Sequence, residues 1–459
     1  MRRFVCTVFI LCLAVASLYG QEKTSRSIRV SCSSNKHSYA ANDAVDVTIT
    51  LGLAEIYDFR NCLISVLMSV SEVPMSPDLR VHLTAVLCAC SFFSEAALAA
   101  GFLPPQHYAV GKAPINIVLA DFNHDGKIAI ATCNLKSHNV SILLGNGDGT
   151  FQASKTYPAA PDTRTSTIDL VAGDFNEDGN LDLVITLGDS FQNQQNASLL
   201  LGKGDGSFRA PQVFYTGAFA EPVVSADFNG DKHLDLFFGG SEGSSVLLGN
   251  GDGTFQPPVI YSTGGPSRIT GVALADFNGD GNLDVAVANE DDASIGILLG
   301  RGDGTFAPVK TLKVATFPYY IAAADYNHDG KIDLALSFAS YPTGGAIDVY
   351  LNNGDATFTL GSTYQVGTSA LYMAAADLNG DGNVDLAMGA FETGSRQSGA
   401  VAVLYGVGDG TFDGPLFYRA APNVYAIVAG QFNTDPLPDI AVTVPGKDGV
   451  AVLINNGPD

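Results

Sequence analysis

The sequence predicts an all-β chain: a seven-bladed β-propeller of four-stranded blades, closed by an N-terminal outer strand. Three observations carry that expectation. An Asp-rich segment recurs seven times at a spacing near 50 residues, and a Gly-Asp-Gly turn recurs in step with it. The last repeat also stops short of its final strand, while a spare copy of that strand stands ahead of the first repeat. The repeats occupy 101–459. A signal peptide (1–20) and a poorly defined β-rich segment (21–100) are expected before them.

The Asp-rich segment is typified by Ala275-Asp276-Phe277-Asn278-Gly279-Asp280-Gly281. Its first loop positions fall at 121, 174, 227, 276, 325, 377 and 431, with spacings of 53, 53, 49, 49, 52 and 54. The last copy is worn, with Gln431 and Pro436 replacing Asp and Gly. A period of this length fits one four-stranded blade. In blade four, strand A leads into the loop, strand B follows at 283–287 and strand C at 295–299. A Gly-Asp-Gly-Thr-Phe turn then opens strand D. Such a turn needs positive φ and reads as a hairpin tip.

The phase of the repeat sets the closure. The chain ends on the hairpin tip at 455–459, so blade seven lacks a strand D. Six copies of that strand begin with Phe151, Phe208, Phe255, Phe306, Phe358 and Phe412. Upstream, Gly101-Phe102-Leu103-Pro104-Pro105-Gln106-His107-Tyr108 resembles Thr254-Phe255-Gln256-Pro257-Pro258-Val259-Ile260-Tyr261. Phe102 is read as the seventh copy. Closing the ring removes unpaired sheet edges. The residue before each loop is Ala or Gly, as befits strands crowded at an axis. A large apolar residue follows each first loop position (Phe122, Phe175, Phe228, Phe277, Tyr326, Leu378, Phe432) and is expected to fill the space between blades.

Composition narrows the function classes. Gly is 50 of 459 residues, charged residues are only 15%, and mean hydropathy is +0.17, which suits a turn-rich folded chain. The net charge of −23 opposes nucleic acid and anionic membranes and favours cations. The absence of Trp excludes propeller repeats that need one in each blade. At the N-terminus, Met1-Arg2-Arg3 precedes an apolar run over 4–19, an export signal too short to span a membrane. The mature chain is therefore expected to be secreted or extracytoplasmic, without a transmembrane span. Two strand signals and a possible Cys32–Cys62 disulfide fall within 21–73. A second signal-like stretch covers 75–99, so that translation from Met75 is an alternative start.

The chemistry lies in the Asp-rich loops. In Asp276, Asn278, Asp280 and Asp284, oxygen side chains stand at positions 1, 3, 5 and 9, with Gly at position 6. Hard oxygens two residues apart can wrap one cation, and an oxygen-only set selects Ca²⁺ over softer metals. Position 12 is Val287 and strands flank the loop, so it is no EF-hand. Complete sets recur at Asp174/Asn176/Asp178/Asp182, Asp325/Asn327/Asp329/Asp333 and Asp377/Asn379/Asp381/Asp385. The set Asp227/Asn229/Asp231/Asp235 carries Lys232 at position 6, and Asp121/Asn123/Asp125 carries Ala129 at position 9. About four to six Ca²⁺ ions are expected. The His residues at loop positions 4 and 7 (His124, His328, His233) read as solvated.

These segments resemble FG-GAP/VCBS repeats, the family of the integrin α-subunit propeller and of many secreted bacterial proteins. The resemblance covers 101–459 and is to the bacterial style, since the Phe-Gly…Gly-Ala-Pro of integrins is absent. It implies a calcium-stabilised extracellular propeller used for adhesion or recognition. Arg301-Gly302-Asp303 spells an integrin-ligand tripeptide but occupies the repeat's own turn.

In a propeller, the A–B loops and C–D turns share one face, and the B–C and D–A connections share the other. Irregular connections at 188–197, 337–346 and 391–399, and aromatic stretches around Phe214, Phe317-Pro318-Tyr319-Tyr320 and Tyr418…Tyr425, are expected on that second face. The expected function is a non-enzymatic, monomeric recognition or adhesion module for an extracellular protein or glycan. No catalytic residues are assigned. The alternative is a polysaccharide lyase or hydrolase with its site on the loop-rich face. For that role, Glu221, Glu242, Glu290, Asp291, Asp292 and Glu392 read as scattered carboxylates without an evident pair.

Overall fold

The computed structural model describes residues 101–457, apart from 162–164, 190–191, 219–220, 242, 266–267, 342–343, 368–370, 392–398 and 422. The signal peptide, the Cys32–Cys62 pairing and the second signal-like stretch lie outside the described residues. Seven antiparallel four-stranded sheets form the ring of a β-propeller. A single 3₁₀ turn, Pro445–Lys447, is the one helical element among the described residues.

Closure follows the predicted phase. Gln106–Ala109 forms strand D of blade seven, paired with strand C, Gly449–Leu453, which in turn pairs with strand B, Asp439–Val444. Phe102 bridges Asn455 as Phe151, Phe208, Phe255 and Phe306 bridge Gly145, Gly202, Gly249 and Gly300 in their own blades. Its ring is 7% exposed, against the core around Leu378.

The large residue after each first loop position does fill the space between blades. Phe122, Phe175, Phe228, Phe277, Tyr326 and Phe432 meet Phe208, Phe255, Phe306, Phe358, Phe412 and Phe151 of the next blade edge-on, with centroids 5.2–6.0 Å apart. Leu378 packs in the same cluster as Phe102. Each ring pair adds directional contact to its area of burial. A backbone bond accompanies six of these contacts. The carbonyl of the large residue accepts an N–H from the next blade's turn, as from Gly304 to Phe228 at 3.0 Å. The seventh, Leu378, accepts instead from the Asn455 amide at 2.7 Å.

The small residue before the loop packs closely against a leucine of the next blade where it is Gly. A Cβ on Gly173 would lie 2.6 Å from Leu234 of the next blade, and one on Gly430 would lie 2.3 Å from Leu119. One expectation needs correcting. The stretches 188–197 and 337–346 are mainly extended hairpins: strands B and C of blade two run Asp182–Asp189 and Gln192–Leu200, and those of blade five run Asp333–Tyr341 and Gly344–Asn352. Polar residues pair there as well as apolar ones because the ladder is satisfied by backbone groups.

Candidate functional site

The Asp-rich loops fold alike in six blades. The position-1 carboxylate accepts the N–H of position 6 in each: Asp121 from Gly126, Asp174 from Gly179, Asp227 from Lys232, Asp276 from Gly281, Asp325 from Gly330 and Asp377 from Gly382, all at 2.8–2.9 Å. Position 6 needs positive φ. Lys232 adopts +75°, within the range of the glycines, so the departure in loop three leaves the geometry intact. At position 3, Asn176, Asn229, Asn278 and Asn379 donate an amide hydrogen to the position-5 carboxylate at 2.8–3.0 Å. The N–H of Asn180 holds the Asp178 carboxyl below its usual range, as that of Asn282 does for Asp280, and the Lys331 ammonium does so for Asp329. In loops two, four and five, position 5 thus stays ionised.

Loops one and five differ from the others in the lysine that stands at the position-5 carboxylate. In loop five the Asn327 side-chain oxygen accepts the Asp329 N–H at 2.9 Å, and the Lys331 ammonium sits 3.0 Å from the Asp329 carboxylate, where a cation would otherwise gather it. In loop one the N–H groups of Asn123 and Asp125 both turn onto the Asp121 carboxylate, each at 3.3 Å. One Asp125 oxygen accepts the Lys127 N–H at 3.0 Å, and the Lys127 ammonium lies 3.9 Å from the other. With Ala129 at position 9, Asp121, Asn123 and Asp125 are the whole side-chain set of that loop, two carboxylates partly answered by a lysine.

Position 9 has a second task that the sequence does not announce. Asp182, Asp235, Asp284, Asp333, Asp385 and Asp439 are fully buried. One oxygen of each accepts the N–H of the large residue at position 2, and the other accepts an N–H at the start of the C–D turn. For Asp284 these are Phe277 at 2.9 Å and Gly300 at 2.8 Å. Asp439 repeats the clamp in blade seven, to Phe432 at 3.0 Å and Asn455 at 2.7 Å, although loop seven is worn. Burial pushes the Asp182, Asp235, Asp284, Asp385 and Asp439 carboxyls up to about 6, against the pull of their two N–H bonds; neighbouring loop carboxylates push the same way. Burial raises Asp333 likewise.

Among the described residues, no three His, Cys, Asp or Glu side chains converge as a metal cage. Each of the six like loops instead brings together two carboxylates and an amide, with its third carboxylate, where present, turned onto the backbone. The donor chemistry fits a hard cation such as Ca²⁺, because all the donors are oxygen and the position-1 Oδ2, as in Asp276 and Asp377, accepts one N–H and keeps a lone pair. Positions 1, 3 and 5 would hold it, with position 9 closing the inner side. Neighbouring loops also touch. His124 bonds Asn180 of the next loop at 3.2 Å, His328 bonds Asn383 at 2.9 Å, and Glu177 pairs with His233. His124 and His328 are exposed and His233 is half-buried, yet all three tie blades together instead of standing free in solvent. In the Arg301-Gly302-Asp303 turn both charged side chains are engaged locally, Arg301 with the Phe306 carbonyl at 2.8 Å and Asp303 with the Thr305 hydroxyl at 2.6 Å.

A second site lies in the axial channel, where a cavity of about 470 Å³ is lined by the first residues of the innermost strands. The Asp-rich loops follow the far ends of those strands. Tyr319, Tyr320, Tyr372 and Tyr425 from blades five to seven form one wall. Tyr372 packs 5.7, 5.2 and 5.2 Å from the rings of Tyr319, Tyr320 and Tyr425. The Tyr319 and Tyr425 hydroxyls share a 2.9 Å hydrogen bond. A polar cluster borders the same cavity. Arg268 bonds Glu221 at 2.5 Å and Glu290 at 3.4 Å, and its N–H bonds Asp291 at 3.1 Å. Deeper in, Asp169 accepts from the Asn116 amide, from Leu170 at 2.8 Å and from Val223 at 2.9 Å, so that one carboxylate ties blades one, two and three. It is ringed by protein, and burial pushes it up to about 7. Burial and then the Asp169 charge raise Tyr320 to about 12.

This site gathers what the sequence leaves scattered. Glu221, Glu290 and Asp291 converge on Arg268 after all, contrary to the reading of isolated carboxylates, while Glu242 and Glu392 lie outside the described residues. Among the aromatics, Tyr319, Tyr320 and Tyr425 line the cavity. Phe214 packs on Phe238 and Phe255, Tyr418 packs on Phe102, and Phe317 is 57% exposed. Sequence reasoning misses Asp169 and Arg268. The one signal it offers is a lone Asp inside an inner strand, Ser166–Gly173, where most other blades carry uncharged residues at that register.

Comparison with known proteins agrees with the architecture. The FG-GAP-like repeat matches residues 121–185, 174–238, 227–287, 276–336 and 337–388, and the FG-GAP repeat matches 373–404. No curated protein sequence matches. The chain is similar in fold to BBS1N in its complex with ARL6DN soaked with lead: 12% identity, 78% of this chain and 98% of that chain covered, TM-score 0.52. The mercury-soaked form gives 12% identity, 77% and 96% coverage and the same TM-score of 0.52. An Agrocybe aegerita lectin specific for non-reducing terminal N-acetylglucosamine is 19% identical over 75% of this chain and 86% of that chain, with a TM-score of 0.47. At such identities the likeness is one of fold alone. Among the described residues no helix is long and apolar enough to cross a membrane. The family matches cover more than half of the chain in register with the seven-bladed ring, and the chain belongs to the FG-GAP repeat family.

Proposed function

We propose that this chain is a secreted or cell-surface propeller, stabilised by Ca²⁺, that acts as a non-enzymatic recognition or adhesion module for an extracellular protein or glycan. One observation carries the calcium reading: the same oxygen-only loop, with the same position-1 to position-6 bond, recurs in six blades. Carboxylates held this close repel one another, and a divalent cation relieves that repulsion. Ions bound only by the folded chain stabilise it by mass action, by about 2.7 kcal/mol per site at a hundred times Kd. Excess EDTA should therefore lower the melting temperature, and added Ca²⁺ should restore it. A chelated sample that melts with the untreated one sinks the calcium reading.

A second reading, a carbohydrate-active enzyme, draws support from one feature: Asp169 and Glu221 line one cavity, and Glu290 stands behind its Arg268. Both Asp169 oxygens are already engaged, and Glu221 and Glu290 are matched by Arg268, which favours binding over proton transfer. A glycan array followed by a reducing-end release assay on each hit separates the two. Binding without turnover supports recognition; turnover supports the enzyme.

A further inference from the structure

We propose that the axial cavity takes the end of a neutral glycan, one or two sugar rings deep, beside the tyrosine wall and the Arg268–Glu221 cluster. This rests on the recognition reading above and names the ligand class of its site. The one cationic side chain at the cavity is already engaged, and carboxylates outnumber it. Arg268 lies between Glu221 and Glu290, and Asp169 is held by the Asn116 amide and two backbone N–H groups. An anionic ligand would be desolvated against these carboxylates with Arg268 already engaged, at a cost. What the cavity leaves unsatisfied is neutral. The Tyr320 and Tyr372 hydroxyls line it without a protein hydrogen bond among the described residues, and the Tyr319–Tyr425 pair retains one spare donor. An aromatic wall beside hydrogen-bonding groups complements a pyranose, which has an apolar C–H face and a hydroxyl edge. The volume of about 470 Å³ lies within the range of small-ligand sites, roughly 300–1,000 Å³.

The test uses the full calcium-loaded chain. Because it has no Trp, tyrosine fluorescence is read without Trp overlap, with four of the 17 tyrosines in the cavity wall. Cellohexaose, mannohexaose and chitohexaose are titrated beside oligogalacturonate and hexalysine, with calorimetry as the second readout. At least one neutral hexasaccharide should bind. Tyr320→Phe and Tyr372→Phe should each weaken it about three- to tenfold, as expected for one lost hydrogen bond. Ala375→Phe, which fills the cavity without removing a polar group, should abolish binding, and the melting temperature of each variant checks its fold. Saccharide binding that ignores all three variants overturns the cavity assignment and leaves the recognition reading standing, as does a protein ligand found while every saccharide fails. Binding of hexalysine or oligogalacturonate alone overturns the neutral class.

Discussion

Replacing Asp284 by Ala tests whether the position-9 carboxylate is a clamp in its own right or only a metal ligand. Asp284 is fully buried, and its two oxygens accept N–H bonds from Phe277 and Gly300 at 2.9 and 2.8 Å. Bonds to a charged acceptor contribute about 1.5–3 kcal/mol each, and a buried donor left without a partner costs about 1–3 kcal/mol. Part of that is offset because burial disfavours the charged carboxylate, which is why its pKa stands up at about 6. The expected loss is about 3–5 kcal/mol. The control is Asp280→Ala in the same loop, at an exposed position whose carboxylate bonds the Asn282 N–H at 2.8 Å. Without metal it should cost no more than about 1 kcal/mol. Urea unfolding of both variants, followed by tyrosine fluorescence and circular dichroism, is run with Ca²⁺ and with excess EDTA. In EDTA the Asp284→Ala loss should persist and the Asp280→Ala loss should nearly vanish. Equal losses in EDTA, or a disappearance of the Asp284→Ala effect there, would refute the clamp.

Three further expectations follow from the same geometry. Deleting residues 101–109 removes strand D of blade seven and uncovers strand C, Gly449–Leu453, every residue of which is buried; size-exclusion chromatography and a thermal melt should show association or a much lower melting temperature, and an unchanged monomer would contradict closure by that strand. Lys232→Gly relieves a left-handed residue at φ +75° with its N–H bond to Asp227 kept, so a gain of up to about 1 kcal/mol is expected by urea unfolding, and a loss would show that the Lys side chain contributes more than its backbone costs. For Asp169 the folded pKa of about 7 lies above the ordinary 3.8, so the folded chain holds a proton that the unfolded chain has released across that window. Stability from this group therefore falls as pH rises from about 4 to about 7, and the wild type should lose ground against Asp169→Asn over that range; a difference that does not change with pH would rule out this titration.

Whatever is written within one repeat, or in the phase between repeats, is legible along the chain. Positive-φ glycines, the Asp and Asn that bond their own loop backbone, and alternating apolar strands act over a few residues, so the four-stranded blade is local information repeated. The count of seven and the closure by Phe102 come from phase, because a ring that lacks its last strand must find it elsewhere. What depends on distant residues meeting emerges only in the folded ring. Asp169, Glu221, Arg268 and Tyr372 lie roughly 50 residues or more apart along the chain, and only the common axis of seven blades sets them around one cavity. Loop position alone equally conceals that Asp125 shares its charge with Lys127 and Asp329 with Lys331, since a flexible lysine can turn toward or away from its neighbour. The clamp made by Asp284 is hidden for a related reason: its position in the loop is local, but its second partner, Gly300, arrives on the turn two strands later. Side chains that face the axis are chosen by their neighbours across the ring, and no pattern along a single blade records those neighbours.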